Sequence, residues 1–177
     1  MCTGAGCEYK QHMSPGHLRY LLLEQGVGAG VVNLVLNGVI AWALFRGVAV
    51  VPLWGTQSIA GDTIGTTFFL PFLTCLIVTR IVRRHMRTRQ LGTLGWTRES
   101  HPPLGWLPVG TVRRGLMLGL VCAVGVGPPT VWTLSHLGVS TMPLWGFITF
   151  KATFAAVLAA LVTPIIALWA LAGVTES

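Results

Sequence analysis

The chain predicts an all-α integral membrane protein: four transmembrane helices arranged as two tandem parallel-repeat hairpins, with both termini in the cytoplasm. Three observations carry this. Hydrophobic residues make up 53% of the 177 residues and charged ones 10%, a balance outside the usual range of soluble domains. Four apolar stretches, roughly 20–45, 57–79, 115–136 and 146–171, each come near the ~20 residues that cross a bilayer core as a helix. "GVAVVPLWG" at 47–55 returns as "GVSTMPLWG" at 138–146, with six of nine residues kept and Pro-Leu-Trp-Gly unbroken.

Residues 1–17 form a polar N-terminal leader, 18–80 the first transmembrane hairpin, 81–114 a basic cytoplasmic connector, 115–172 the second hairpin and 173–177 a short C-terminal tail. The first apolar stretch is too long for a signal-peptide core and lacks a small-residue cleavage pattern, so it is expected to stay in the mature protein. Cys2 and Cys7 lie on the expected reducing side, and Cys75 and Cys122 lie inside spans, so no disulfide framework is expected. Cys2 and Cys7 with His12 or His17 do not make an established zinc spacing. Metal and cofactor are therefore not expected.

Within span one, Asn33 and Asn37 stand four apart and share a helix face with Gly26 and Gly30. Interhelical hydrogen bonding is an adequate structural account of them. His17, Tyr20 and Glu24 cluster at helical spacing near the cytoplasmic boundary, where an interfacial salt bridge suffices. The repeated turn places Pro52 and Pro143 at helix entries, where a missing N–H costs nothing, and Trp54 and Trp145 at the headgroup boundary.

Span two carries Asp62, with Thr63, Thr66 and Thr67 close by, and span four carries Lys151. A lone charge in hydrocarbon costs about 3 kcal/mol on insertion scales, and an opposite partner is the usual remedy. Counted from the span centres at ~1.5 Å per residue, both lie ~9–10 Å toward the outer surface. An Asp62–Lys151 contact is expected.

The connector region holds Arg80, Arg83, Arg84, Arg87, Arg89, Arg98, Arg113 and Arg114 against a single acid, Glu99. By the positive-inside tendency it is cytoplasmic. The first five are also candidates for binding anionic lipid headgroups or a partner protein; nucleic acid is not expected. Trp96 and Trp106 suit the same headgroup surface. In span three "GVGPPT" is expected to interrupt the helix, freeing carbonyls near Val124 and Gly125 close to Asn37.

Small residues recur four apart in each span: Gly26 and Gly30, Gly61 and Gly65, Gly115 and Gly119, then Ala152, Ala156 and Ala160. They predict a close-packed bundle with little internal room, so that conduction would arise between protomers of a homo-oligomer or larger membrane complex. No nucleophile with its base and no phosphate-cradling loop is present, so an enzyme is not expected. Two functions remain. Asn33, Asn37, Asp62, Thr66 and Lys151 form a buried polar cluster that binds or passes a small ion, proton or polar solute, or the chain is a scaffold or accessory subunit. The expected location is a bacterial plasma (inner) membrane.

Overall fold

The computed structural model describes residues 26–87 and 110–172, without the side chains of 83, 85–87 and 171–172. Expectations for Cys2, Cys7, His12, His17, Tyr20, Glu24, Arg89, Trp96, Arg98 and Trp106 lie outside the described residues. The elements are α1 (Gly28–Phe45), β1 (Val50–Pro52), α2 (Ile59–Arg87), α3 (Thr111–Gly125), α4 (Gly127–His136), β2 (Thr141–Pro143) and α5 (Leu144–Ala172). Among the described residues, four helical stretches are long and apolar enough to cross a membrane: Gly28–Phe45, Ile59–Val82, Thr111–His136 and Leu144–Ala170. The chain is thus an integral membrane protein.

The third span is two helices because its sequence breaks it. Pro128 and Pro129 have no N–H for the carbonyls of Val124 and Gly125. The last turn of α3 closes with Val126 N–H donating to Cys122 O at 2.8 Å, and Val126 O then accepts from the N–H and hydroxyl of Thr130, at 3.1 and 2.7 Å. The expected interruption is present. Arg80, Arg83, Arg84 and Arg87 belong to α2 as it runs on past its apolar span, and Arg113 and Arg114 belong to the first turn of α3.

Neither pair of helices joined by a turn closes on itself. α1 packs along α5, α3 and α4 pack along α2, and α2 and α5 lie side by side in the middle. Small residues explain the α1–α5 seam: a Cβ placed on Gly30 would sit 3.3 Å from Ala156 O and 3.4 Å from the Ala160 Cβ, and one on Gly38 would sit 3.6 Å from the Ala152 Cβ. The α2–α3 seam sets glycine against rings. A Cβ on Gly119 would come to 2.8 Å from Phe68 O, and one on Gly115 to 3.0 Å from the Phe72 ring. Such contacts let backbones approach and gain dispersion energy in a solvent that gives no hydrophobic drive.

The glycines of α2 depart from expectation. Gly61 is exposed and a Cβ there would meet only the Ser58 hydroxyl, while one on Gly65 would meet nothing within 4 Å. They do not mediate helix packing, and the uniformly close-packed bundle is corrected accordingly: beside Gly65 there is a cavity.

The two turns are joined to each other. β1 and β2 pair antiparallel, Val50 with Pro143, Val51 with Met142 and Pro52 with Thr141. The ladder extends at both ends through Leu53 N–H to Ser140 O at 2.8 Å and Leu144 N–H to Ala49 O at 3.0 Å. Hydrogen-bonded and non-hydrogen-bonded pairs alternate in an antiparallel ladder, so Pro52 and Pro143 both fall where no N–H is asked for. This corrects the helix-entry reading. Pro143 does adjoin α5, but Pro52 ends a strand and α2 begins only at Ile59, after a bend that passes through positive φ at Gly55. Trp54 and Trp145 are both well exposed, as anchors require.

Two apolar clusters fill the interior. One sits under the paired turns and includes Phe45, Val51, Leu53, Ile59, Val131 and Phe147, with the Phe45 and Phe147 ring centroids 4.6 Å apart. The other occupies the far half, around Leu70, Val78, Val82, Leu158, Val162 and Ile166.

Candidate functional site

Between those clusters lies a charge pair. Asp62, in the first turn of α2, and Lys151, two turns into α5, meet with Lys151 Nζ donating to Asp62 Oδ1. Their side chains are 12% and 5% exposed, so both charges have left solvent together. The pairing follows from helix placement: α2 and α5 both descend from the joined turns and pack side by side, which brings opposite charges near their upper ends to one level. Asp62 is the only acid among the described residues.

The pair opens onto a cavity of about 610 Å3, bounded by α1 on one side and α2 on the other, with Lys151 and Thr163 of α5 as its floor. It exists because α1 and α2 both lean on α5 and not on each other. Its volume lies within the ~300–1,000 Å3 of small-molecule sites. Apolar side chains on its rim, including Leu36, Phe69, Leu73 and Ile77, are each at least half exposed. The groove therefore opens sideways toward the bilayer.

The five residues singled out from sequence line this one cavity: Asn33, Asn37, Asp62, Thr66 and Lys151. The two asparagines are not interhelical glue. Asn33 Nδ2 donates to Ala29 O at 2.9 Å, and Asn37 Nδ2 to Asn33 O at 3.1 Å and Asn33 Oδ1 at 3.4 Å, all within α1. Local bonding holds the amides against their own helix and leaves them facing the groove. Thr63 and Thr67 are buried away from it, with Thr67 Oγ1 donating to Ile64 O at 2.8 Å.

Two further polar residues were not singled out from sequence. Thr74 continues the four-residue spacing of Asp62, Thr66 and Leu70 along α2, a signal that helical periodicity could have supplied. Thr163 is wholly buried, lines the cavity floor, and its hydroxyl has no hydrogen-bond partner. Gly65 gives the groove its space, since any side chain there would point into it.

The break between α3 and α4 does not contribute. No residue of either helix lines the cavity, and Val124 is 67% exposed, so the freed carbonyls do not face Asn37. Among the basic candidates, Arg80 and Arg84 are exposed at the far end of α2, while the side chains of Arg83 and Arg87 are not described. His136 packs against Trp132 at a centroid distance of 4.1 Å. Among the described residues no three of His, Cys, Asp and Glu gather as metal ligands. No protein-family model, curated protein or solved structure matches the chain.

Proposed function

We propose that the chain binds a small ion or polar solute at the Asp62–Lys151 pair and passes it across the membrane by way of the groove between α1 and α2. The observation that supports this most is the meeting of Asn33, Asn37, Asp62, Thr66 and Lys151 around one cavity. A pair serving only helix register would be expected to be sealed among apolar side chains, because low dielectric rewards closure around charges. Here the pair, though mostly buried, borders a groove that Asn33, Asn37 and Thr66 also line. The cavity lies within a single chain, so this reading needs no second protomer.

The orientation belongs to the same proposal. The Arg-rich end of α2 and the start of α3 face the cytoplasm of a plasma membrane, and the joined turns face outward, following the positive-inside tendency. We further read the chain as a duplicated hairpin with an axis along the membrane normal. Two facts support it: the paired strands join residues 91 positions apart, Val51 with Met142 at the centre, and the pairing of α1 with α5 mirrors that of α3 and α4 with α2.

The test is reconstitution into sealed vesicles and measurement of proton, small-ion and polar-solute flux. The double substitution Asp62→Asn with Lys151→Met should remove flux while the protein remains folded and monodisperse. Absence of wild-type flux for every solute, together with preferential retention of anionic over neutral lipid by the detergent-solubilised protein that is lost when Arg80, Arg83, Arg84, Arg87 and Arg89 are replaced, would support the scaffold reading instead.

A further inference from the structure

The cavity has polar groups along its depth, with α2 and α5 contributing them at two levels. Thr74 follows Asp62 by twelve residues on α2, and Thr163 follows Lys151 by twelve on α5. At ~1.5 Å per residue the lower pair lies ~18 Å beyond the upper. The span of α5 runs Leu144–Ala170 and centres on Val157, so Lys151 and Thr163 lie ~9 Å from its middle on opposite sides. Each half of the bilayer therefore has one polar station on the same groove. On α2 the stations are separated by Phe69, Leu70 and Leu73, of which Phe69 and Leu73 are exposed on the rim, while on α1 Asn33 lines the groove between them.

We infer that the groove is a track for the headgroup of a zwitterionic phospholipid, which crosses between leaflets with its head in the groove and its acyl chains outside in the bilayer. The inference rests on the reading that the polar cluster binds solute, and it names that solute. Three observations bear on it. The lateral opening admits an occupant that arrives from the membrane. The upper station is a balanced ion pair, and a zwitterion can set its phosphate on Lys151 and its ammonium on Asp62 without leaving net charge in hydrocarbon, whereas an anionic head would leave one. The lower station includes Thr163, which borders the cavity and whose buried hydroxyl has no hydrogen-bond partner, so a polar group that reached it would satisfy it.

The experiment is phospholipid exchange in vesicles containing the full chain. Tail-labelled fluorescent phosphatidylcholine is incorporated in both leaflets, and a membrane-impermeant reductant reports how fast inner-leaflet lipid reaches the outside. The wild type should accelerate exchange, and phosphatidylcholine should outpace phosphatidylglycerol. Thr163→Val should slow it about tenfold, the weight of one ~1.4 kcal/mol interaction, and Thr163→Ser should restore it. Gly65→Leu, which fills the groove where a Cβ meets nothing within 4 Å, should abolish it in a protein that still elutes as the wild type does. Val124→Trp, on an exposed face remote from the cavity, should leave it unchanged. Exchange that is absent, or is untouched by Gly65→Leu and Thr163→Val, overturns the inference. Proton or ion flux measured in the same vesicles separates the two claims: flux without lipid exchange removes the lipid track and leaves solute binding standing, and loss of both removes both.

Discussion

Lys151→Met should destabilise the protein far more than Lys151→Met combined with Asp62→Asn. With Lys151 5% and Asp62 12% exposed, the single substitution strands a carboxylate between two apolar clusters. Breaking a buried pair this way costs about 3–5 kcal/mol, whereas replacing both partners by neutral groups of similar volume is often close to neutral. In a membrane the unfolded helices also find partners, and a charge near the helix centre costs only about 2.5–3.5 kcal/mol on insertion scales. We therefore expect about 3 kcal/mol for Lys151→Met, somewhat less for Asp62→Asn because Lys151 can extend toward the boundary, and within about 1 kcal/mol of wild type for the pair. Reversible SDS unfolding in mixed micelles, run as a double-mutant cycle, gives the coupling directly. If the two single effects add to within ~0.5 kcal/mol of the double, the residues are not interacting and the account of the pair is wrong.

Gly119→Ala should cost about 1–3 kcal/mol, because its Cβ would meet the Phe68 backbone carbonyl at 2.8 Å and the helices would have to separate; Gly28→Ala, with nothing within 4 Å, should be neutral or better by thermal stability of the detergent-solubilised protein. Val50→Cys with Pro143→Cys, in a chain otherwise free of cysteine, should form an intramolecular disulfide on mild oxidation, since the two are register partners; no mobility shift on non-reducing gels would contradict the strand pairing. Pro128→Ala with Pro129→Ala should let α3 run into α4 and change neither solute flux nor lipid exchange, because neither helix lines the cavity; a fall in transport with the fold retained would place the break in the route after all.

The span count, the helix break and the charge pair were legible in the sequence because each rests on a local rule: apolar length, a Pro-Pro dipeptide, and the cost of an isolated charge in hydrocarbon. Which helices would lie together was not. Small residues four apart mark a face fit for close approach, but in the same pattern at Gly61 and Gly65 the first meets only its own turn and the second borders empty space, and only the partner across from a glycine decides which it is. The Pro-Leu-Trp-Gly motif misled for a related reason. A proline with no N–H suits a helix start and a non-hydrogen-bonded ladder position equally, and the choice depends on a strand some ninety residues away. Thr163 went unnoticed because a threonine in a membrane helix ordinarily satisfies its hydroxyl on a carbonyl one turn back, as Thr130 and Thr149 do; its lack of a partner is a property of the packed structure.

The exchange of partners between the two halves has a consequence for biogenesis. When the first half leaves the ribosome and enters the bilayer, α1 and α2 have little to hold them to each other, since the surface of α1 that carries Gly30 and Gly38 fits a helix not yet synthesised. Asp62 likewise waits in the membrane for a cation that arrives 89 residues later. An insertion factor or chaperone that shelters this half-made intermediate would act in the interval between those two events, and truncation after α4 should leave a product that quality-control proteases remove.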